Sequence, residues 1–234
     1  MIESSREDDV AAFKRAAALA AVAEVEEGMI VGLGTGTTAA FAIAALADRV
    51  AGGLRITTVA TSLATARMAE SLGLKPMPFE SFDRLDIAID GADEIDGALR
   101  AIKGGGGAML REKIVAAASR RMIAIVDGSK QVTRLGAHPL PVEVLPFAES
   151  FVSRRIVEFG ADVCRRMAGD APYRTDQDNP VLDCAFGAID RPEALAAALS
   201  AIPGVLGHGL FLDEIDAAYV GRVEGVSYLT RSGS

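Results

Sequence analysis

Tryptophan is absent from the 234 residues, cysteine and histidine occur twice each, and aromatic residues make up only 5%. Cys164 and Cys184 form no Cys-x-x-Cys pair, and with His138 and His208 they give no four-ligand zinc spacing. Neither a disulfide framework nor a bound metal is therefore expected, and the reduced setting of the cytoplasm is. Long apolar runs are also missing. The alanine-rich segment from Ala16 to Val25 is broken by glutamate and falls well short of the roughly twenty residues that cross a bilayer. The opening "MIESSREDDV" has no basic segment followed by an apolar one, so no secretory signal is expected. Positive charge is scarce, with 24 Lys and Arg against 32 Asp and Glu for a net charge of −8, which argues against a nucleic-acid partner. An acidic chain that takes a small phosphate must gather its few cations and backbone N–H groups in one place.

Half of the residues are hydrophobic, enough to build a substantial core without staples. Their pattern alternates. A helix over 11–26 leads to the strand-like "MIVGLG" at 29–34 and a second helix from Thr38 to Val50. "RITTVA" (55–60), a helix near 63–72, "LDIAI" (85–89), a helix near 108–119 and "MIAIV" (122–126) continue the rhythm of a parallel, helix-covered sheet. The character changes after the Gly- and Pro-rich "DGSKQVTRLGAHPLPVEVLP". "PVEVL", a helix near 147–159, "ADVCRRM", "PVLDCAFG" and a helix at 192–201 predict a small α+β domain, and the last segment offers two strands that return to the first sheet. The expected division is 1–130 with 208–234, and 131–207. "GDAPYRTDQDNP", 169–180, reads as an exposed loop.

In an open α/β sheet, ligands gather beyond the C-terminal ends of the strands, and three loops fall there. "GLGTGTT" (32–38) places Gly32, Gly34 and Gly36 in a turn, with Thr35, Thr37 and Thr38 near a helix N-terminus, a setting for phosphate. It lacks the third glycine of a dinucleotide fingerprint, and "VATSLAT" at the next strand end supplies no acid for a ribose. Taken alone, the loop is equally a tight turn capped by threonine. "DGADEID" (90–96) packs four acids into seven positions. Asp90, Asp93 and Glu94 repel one another unless they are solvated or held for proton relay, hydroxyl binding or metal binding, and the spacing is not that of a calcium loop. "KGGGGAMLREK" (103–113) sets a cation, four glycines and then Glu112 near a helix start; alone it is also a flexible loop beside a charged helical face. Together the loops bring a phosphate cradle, paired carboxylates, a lysine and a further glutamate to one sheet edge. That inventory suits acid/base chemistry on a phosphorylated small molecule without a cofactor.

At these residues the sequence resembles the A-type ribose-5-phosphate isomerase family. "GLGTGTTA", "DGADEID", "KGGGGAMLREK", "DGSKQV", "HPLPVEVLP" and "AIPGVLGHGLF" match its motifs in order, over about Lys14 to Val226. The resemblance implies a Rossmann-like α/β domain with a smaller α+β domain, assembled as a homodimer or homotetramer. It also implies a metal-free interconversion of ribose 5-phosphate and ribulose 5-phosphate through a cis-enediolate, in the non-oxidative pentose phosphate pathway. By family pattern Glu112 is the general base, Asp90 and Asp93 handle hydroxyl protons and ring opening, and Lys103 is the active-site lysine. Lys14, Thr35, Thr37, Thr38 and Lys130 fall at substrate and phosphate positions, with the backbone of Gly36, Gly91, Ala92, Gly104, Gly105 and Gly106 beside them. The chain departs from the family in a fourth glycine, Gly107, in His208 where asparagine is common, and in Thr37 where serine is frequent. Two other classes use similar loops: a sugar-phosphate sensor, which would not need Glu112, and an acyl or CoA transferase, which would form a covalent glutamyl adduct.

Overall fold

The computed structural model describes residues 2–231, with side chains from Asp8 to Arg231. Its larger sheet has six strands in the order Gly225–Thr230, Ala217–Arg222, Met122–Asp127, Ile87–Gly91, Ile30–Leu33, Thr57–Ala60. The five from Ala217–Arg222 onward run parallel, and Gly225–Thr230 closes one edge as an antiparallel hairpin. The fold is thus α/β with a mainly parallel sheet.

Alternation along the central strands assigns the two faces. Ile87, Ile89, Ile123 and Ile125 pack with Leu33 beneath the helices Ile2–Val22 and Thr37–Ala51, where Ala17, Ala21, Ile43 and Leu46 meet them. Ala88, Met122, Ala124 and Val126 face the other way, toward Met109, Val115 and Ala116 of the helix Met109–Ala118. Burial of each isoleucine is worth roughly 1.5–3 kcal/mol, so these central strands are the stable base on which the loops stand.

A second, four-stranded antiparallel sheet has the order Val205–His208, Leu140–Val144, Val181–Ala185, Asp162–Arg165. Val142, Val144, Leu182 and Cys184 pack there with Val152 and Ile156 of the helix Glu149–Val157 and Leu199 of Pro192–Ser200. Between the sheets lies a small antiparallel ribbon, Leu210–Phe211, Ala101–Ile102 and Glu94–Ile95. Two-residue strands carry no readable periodicity, and this ribbon is absent from the sequence-based expectation. It matters because Lys103 follows its middle strand directly.

The segment 169–180 is largely exposed, as expected, but is anchored at a few points. Thr175 and Asn179 are buried and donate to Glu143 Oε1 at 2.9 and 2.8 Å, and Tyr173 packs over the glycine loop. The anchor is not readable from the sequence because the partner, Glu143, is itself a buried acid more than thirty residues away.

Candidate active site

Strand Ile30–Leu33 ends in Gly34, whose N–H donates to Ile89 O at 2.9 Å on the neighbouring strand. A Cβ on Gly34 would lie inside the Asp90 carboxylate, so only glycine lets the two strand ends come this close. Asp90 Oδ1 then accepts from the N–H of Thr35 at 3.0 Å and of Gly91 at 2.7 Å. Its Oδ2 stands 3.0 Å from Lys103 Nζ, which is also 3.2 Å from Glu112 Oε2. Both carboxylate oxygens sit at ion-pair distance outside hydrogen-bond geometry; the directed hydrogen bond of Lys103 goes to Gly91 O.

Asp90, Lys103 and Glu112 are all at least 96% buried. Two carboxylates around one ammonium leave an excess negative charge out of water. Burial, reinforced by Asp90, pushes the Glu112 carboxyl up to about 8. Burial likewise raises Asp90, against the pull of Lys103 and its two backbone donors. For Lys103 burial acts downward, but the two carboxylates outweigh it and hold the ammonium above its usual value. Lys103 is therefore a fixed cation, and Glu112, in the first turn of Met109–Ala118, is the group that can exchange a proton near neutral pH.

The cluster opens on a cleft of about 130 Å³. At one end Gly36, at φ 105, leads into the helix Thr37–Ala51, and Lys14 Nζ donates to Thr37 Oγ1 at 3.1 Å. Thr38 and Lys130 join them; Lys130 ends the turn Gly128–Lys130, capped by Asp127 through Ser129 N at 3.0 Å. Gly91, Ala92, Asp93, Gly104, Gly105 and Gly106 line the cleft together with Lys103 and Glu112. Asp93 Oδ2 accepts from Gly105 N at 2.7 Å. All the catalytic and substrate-binding positions implied by the resemblance line this cleft except Asp90, which is linked to it through Lys103. Thr35 is placed differently from a phosphate hydroxyl. Its Oγ1 is committed to Thr61, Ser62 and Thr65 at 2.8, 2.9 and 3.0 Å, and its N–H to Asp90. The arrangement joins an anion-binding helix start with two cations to a titratable carboxylate, the geometry for moving a proton on a small phosphorylated molecule.

A family model, Ribose 5-phosphate isomerase A (phosphoriboisomerase A), matches residues 57–225. The chain belongs to that family. Ribose-5-phosphate isomerase A of Sphingopyxis alaskensis is 56% identical over 209 residues, covering 89% of this chain and 92% of that one. The solved ribose 5-phosphate isomerase A of Methanocaldococcus jannaschii is 36% identical at a TM-score of 0.89, covering 94% of this chain and 98% of its own. A D-ribose-5-phosphate isomerase solved in complex with phospho-erythronic acid is 36% identical at a TM-score of 0.92, covering 95% and 99%.

Other acids of "DGADEID" turn away from the isomerase cleft. Glu94 accepts from Gly136 N at 2.7 Å and from His138 N, and Asp96 pairs with Arg100 at 2.7 Å. The repulsion expected of Asp90, Asp93 and Glu94 is relieved by separate partners within the protein: Lys103, the Gly105 N–H and the Gly136 N–H. Lys113 is structural too, 2.8 Å from Glu214 and 4.0 Å above the Phe211 ring. His208, which stands where this isomerase family commonly has asparagine, is buried, and burial followed by Lys113 lowers it to about 4. Its neutral ring takes the Leu210 N–H on Nδ1 at 3.3 Å and faces Ser200 Oγ through Nε2 at 3.2 Å. Sequence reasoning missed Arg166 and Tyr173, which hold the glycine loop from the smaller sheet, because nothing in "CRRMAGDAPY" marks one arginine or tyrosine as facing inward.

Proposed function

We propose that this chain interconverts ribose 5-phosphate and ribulose 5-phosphate with Glu112 as the base. The observation that carries the reading is a buried, upward-shifted Glu112 beside Lys103, in a cleft that Lys14, Thr37, Thr38 and Lys130 also line. The phosphate binds on the N-terminus of the helix Thr37–Ala51 and the ammonium groups of Lys14 and Lys130. With the sugar ring open, ionised Glu112 removes the proton from C2, the electron pair forms the enediolate, and the same carboxyl returns the proton to C1. A proton also passes from the C2 hydroxyl to the C1 oxygen; Asp93, at the cleft surface, is the relay for it and for ring opening. Lys103 stays charged throughout and, with the glycine-loop N–H groups, stabilises the developing oxyanion. Asp90 holds Lys103 in place.

The same reading takes residues 1–130 and 208–234 as the catalytic unit and 131–207 as a small α+β unit, supported by the two separate sheets. It further takes the assembly as a homodimer or homotetramer. Phe147, 97% exposed, with Leu145, Phe151 and Leu206 also exposed on the same unit, supports an interface there. Unpaired Cys164 and Cys184 fit a cytoplasmic setting. The test of function is formation of ribulose 5-phosphate from ribose 5-phosphate by purified protein in the presence of a chelator; no product would sink the reading.

A further inference from the structure

We propose that Arg166 is a positioning residue for this isomerisation, setting the peptide orientation of the glycine loop from the smaller sheet. The inference rests on the functional reading above. Arg166 directly follows the strand Asp162–Arg165, and its side chain is 12% exposed. Its Nε donates to Asp183 Oδ2 at 2.9 Å and its Nη2 to Asp183 Oδ1, so the fork is fully seated on one carboxylate. The remaining nitrogen, Nη1, reaches across to the other sheet's loop and donates to Gly104 O at 2.8 Å and Gly105 O at 3.1 Å. Tyr173, whose ring centre lies 5.7 Å from the guanidinium, donates its hydroxyl to Gly106 O at 3.2 Å. Three successive carbonyls are therefore held by one part of the molecule.

Across a planar trans peptide the carbonyl of one residue and the N–H of the next point in opposite directions. Holding the Gly104 carbonyl aims the Gly105 N–H away from Arg166, where it meets Asp93 at 2.7 Å. Holding the Gly105 carbonyl aims the Gly106 N–H the same way, and among the described residues that N–H has no partner. Gly105 and Gly106 both line the cleft. A run of glycines has no side chain to fix its peptides, and both signs of φ are open to it; its one internal bond, from Gly107 N–H to Gly104 O at 2.9 Å, leaves the Gly105 and Gly106 carbonyls to be held from outside the loop. Arg166 supplies the hold at Gly105, leaving one N–H on the Asp93 carboxylate and one free to meet an oxyanion beside Glu112. A donor fixed before reaction stabilises developing charge more effectively than one that must reorient.

The test compares Arg166→Ala, Arg166→Lys and Tyr173→Phe with wild type in steady-state isomerisation, with inorganic phosphate as a competitive probe of the phosphate position at Lys14 and Lys130. Arg166→Ala is expected to lose roughly tenfold to a hundredfold in kcat, the scale of a misplaced catalytic group. Phosphate inhibition should stay within about twofold, because Lys14 and Lys130 are untouched. Added guanidinium should restore part of the kcat of Arg166→Ala and none to wild type. Arg166→Lys should stay below wild type, since one ammonium cannot serve Asp183 and both carbonyls. Tyr173→Phe, which removes a single hydrogen bond, should show a smaller kcat loss. An Arg166→Ala kcat within about twofold of wild type overturns the proposal, as does loss of phosphate inhibition in parallel with kcat and without guanidinium rescue. Wild type without isomerase activity would instead overturn the functional reading beneath it.

Discussion

The Glu112 carboxylate stands 3.2 Å from the Lys103 ammonium, and that ammonium already has Asp90 at 3.0 Å. One buried cation thus serves two buried acids. The acid with backbone donors, Asp90, is the better-supported anion, which leaves Glu112 as the group that gains and loses a proton.

A pH dependence follows. Only ionised Glu112 can take the C2 proton, and its carboxyl sits up at about 8. kcat/KM should fall about tenfold for each pH unit below 8 and level off above it. A profile already flat from pH 6 upward would contradict the assignment.

Glu112→Gln keeps the shape and removes the base, so turnover should drop by roughly a hundredfold or more. The fold should respond in the opposite sense. A carboxyl held above its unfolded value stabilises most when protonated, and that contribution is lost as pH rises from about 4.5 to about 8. The glutamine variant escapes that loss, so its stability relative to wild type should climb across this window by an amount on the order of a few kcal/mol. Thermal melts at pH 5 and pH 8.5 measure it. A variant less stable than wild type at the higher pH would count against a strained, buried carboxylate.

Lys130→Ala removes a cation from the phosphate end while leaving the Lys103 cluster intact. KM should rise roughly tenfold with kcat little changed, as expected for loss of one charge-assisted hydrogen bond. A defect confined to kcat would move Lys130 to the reacting end.

Gly107 has φ 79, and a Cβ there would run into the Tyr173 ring. Gly107→Ala should cost about 1–2 kcal/mol for the left-handed backbone and displace Tyr173, lowering kcat along with stability. Wild-type turnover in this variant would mean that Tyr173 has no hold on the loop.

Much of the fold was legible because parallel strands buried on both faces read as short apolar runs: "MIAIV" and "LDIAI" announce themselves. The three loops were legible because glycines and acids directly after such runs have few structural uses. What could not be read was orientation. Glu94 and Asp93 are neighbours in sequence, yet one holds the turn at Gly136 and the other faces the cleft. Thr35 has the composition of a phosphate ligand but spends its hydroxyl on a cluster made with Thr61, Ser62 and Thr65, from another strand end. The partners that decide such matters lie 26–30 residues away for Thr35 and 61–62 for the contacts of Arg166 with the glycine loop, beyond any local pattern.

The grip of Arg166 and Tyr173 on a loop without side chains separates chemistry from competence during folding. A nascent chain that has completed the helix Met109–Ala118 already carries Asp90, Asp93, Lys103 and Glu112, but the carbonyls of Gly105 and Gly106 gain their holds only after Arg166 and Tyr173 are made and the strand Val181–Ala185 brings Asp183 beneath Arg166. With Arg166 as the positioning residue, full turnover waits for completion of a sheet that contributes no acid or base to the reaction itself.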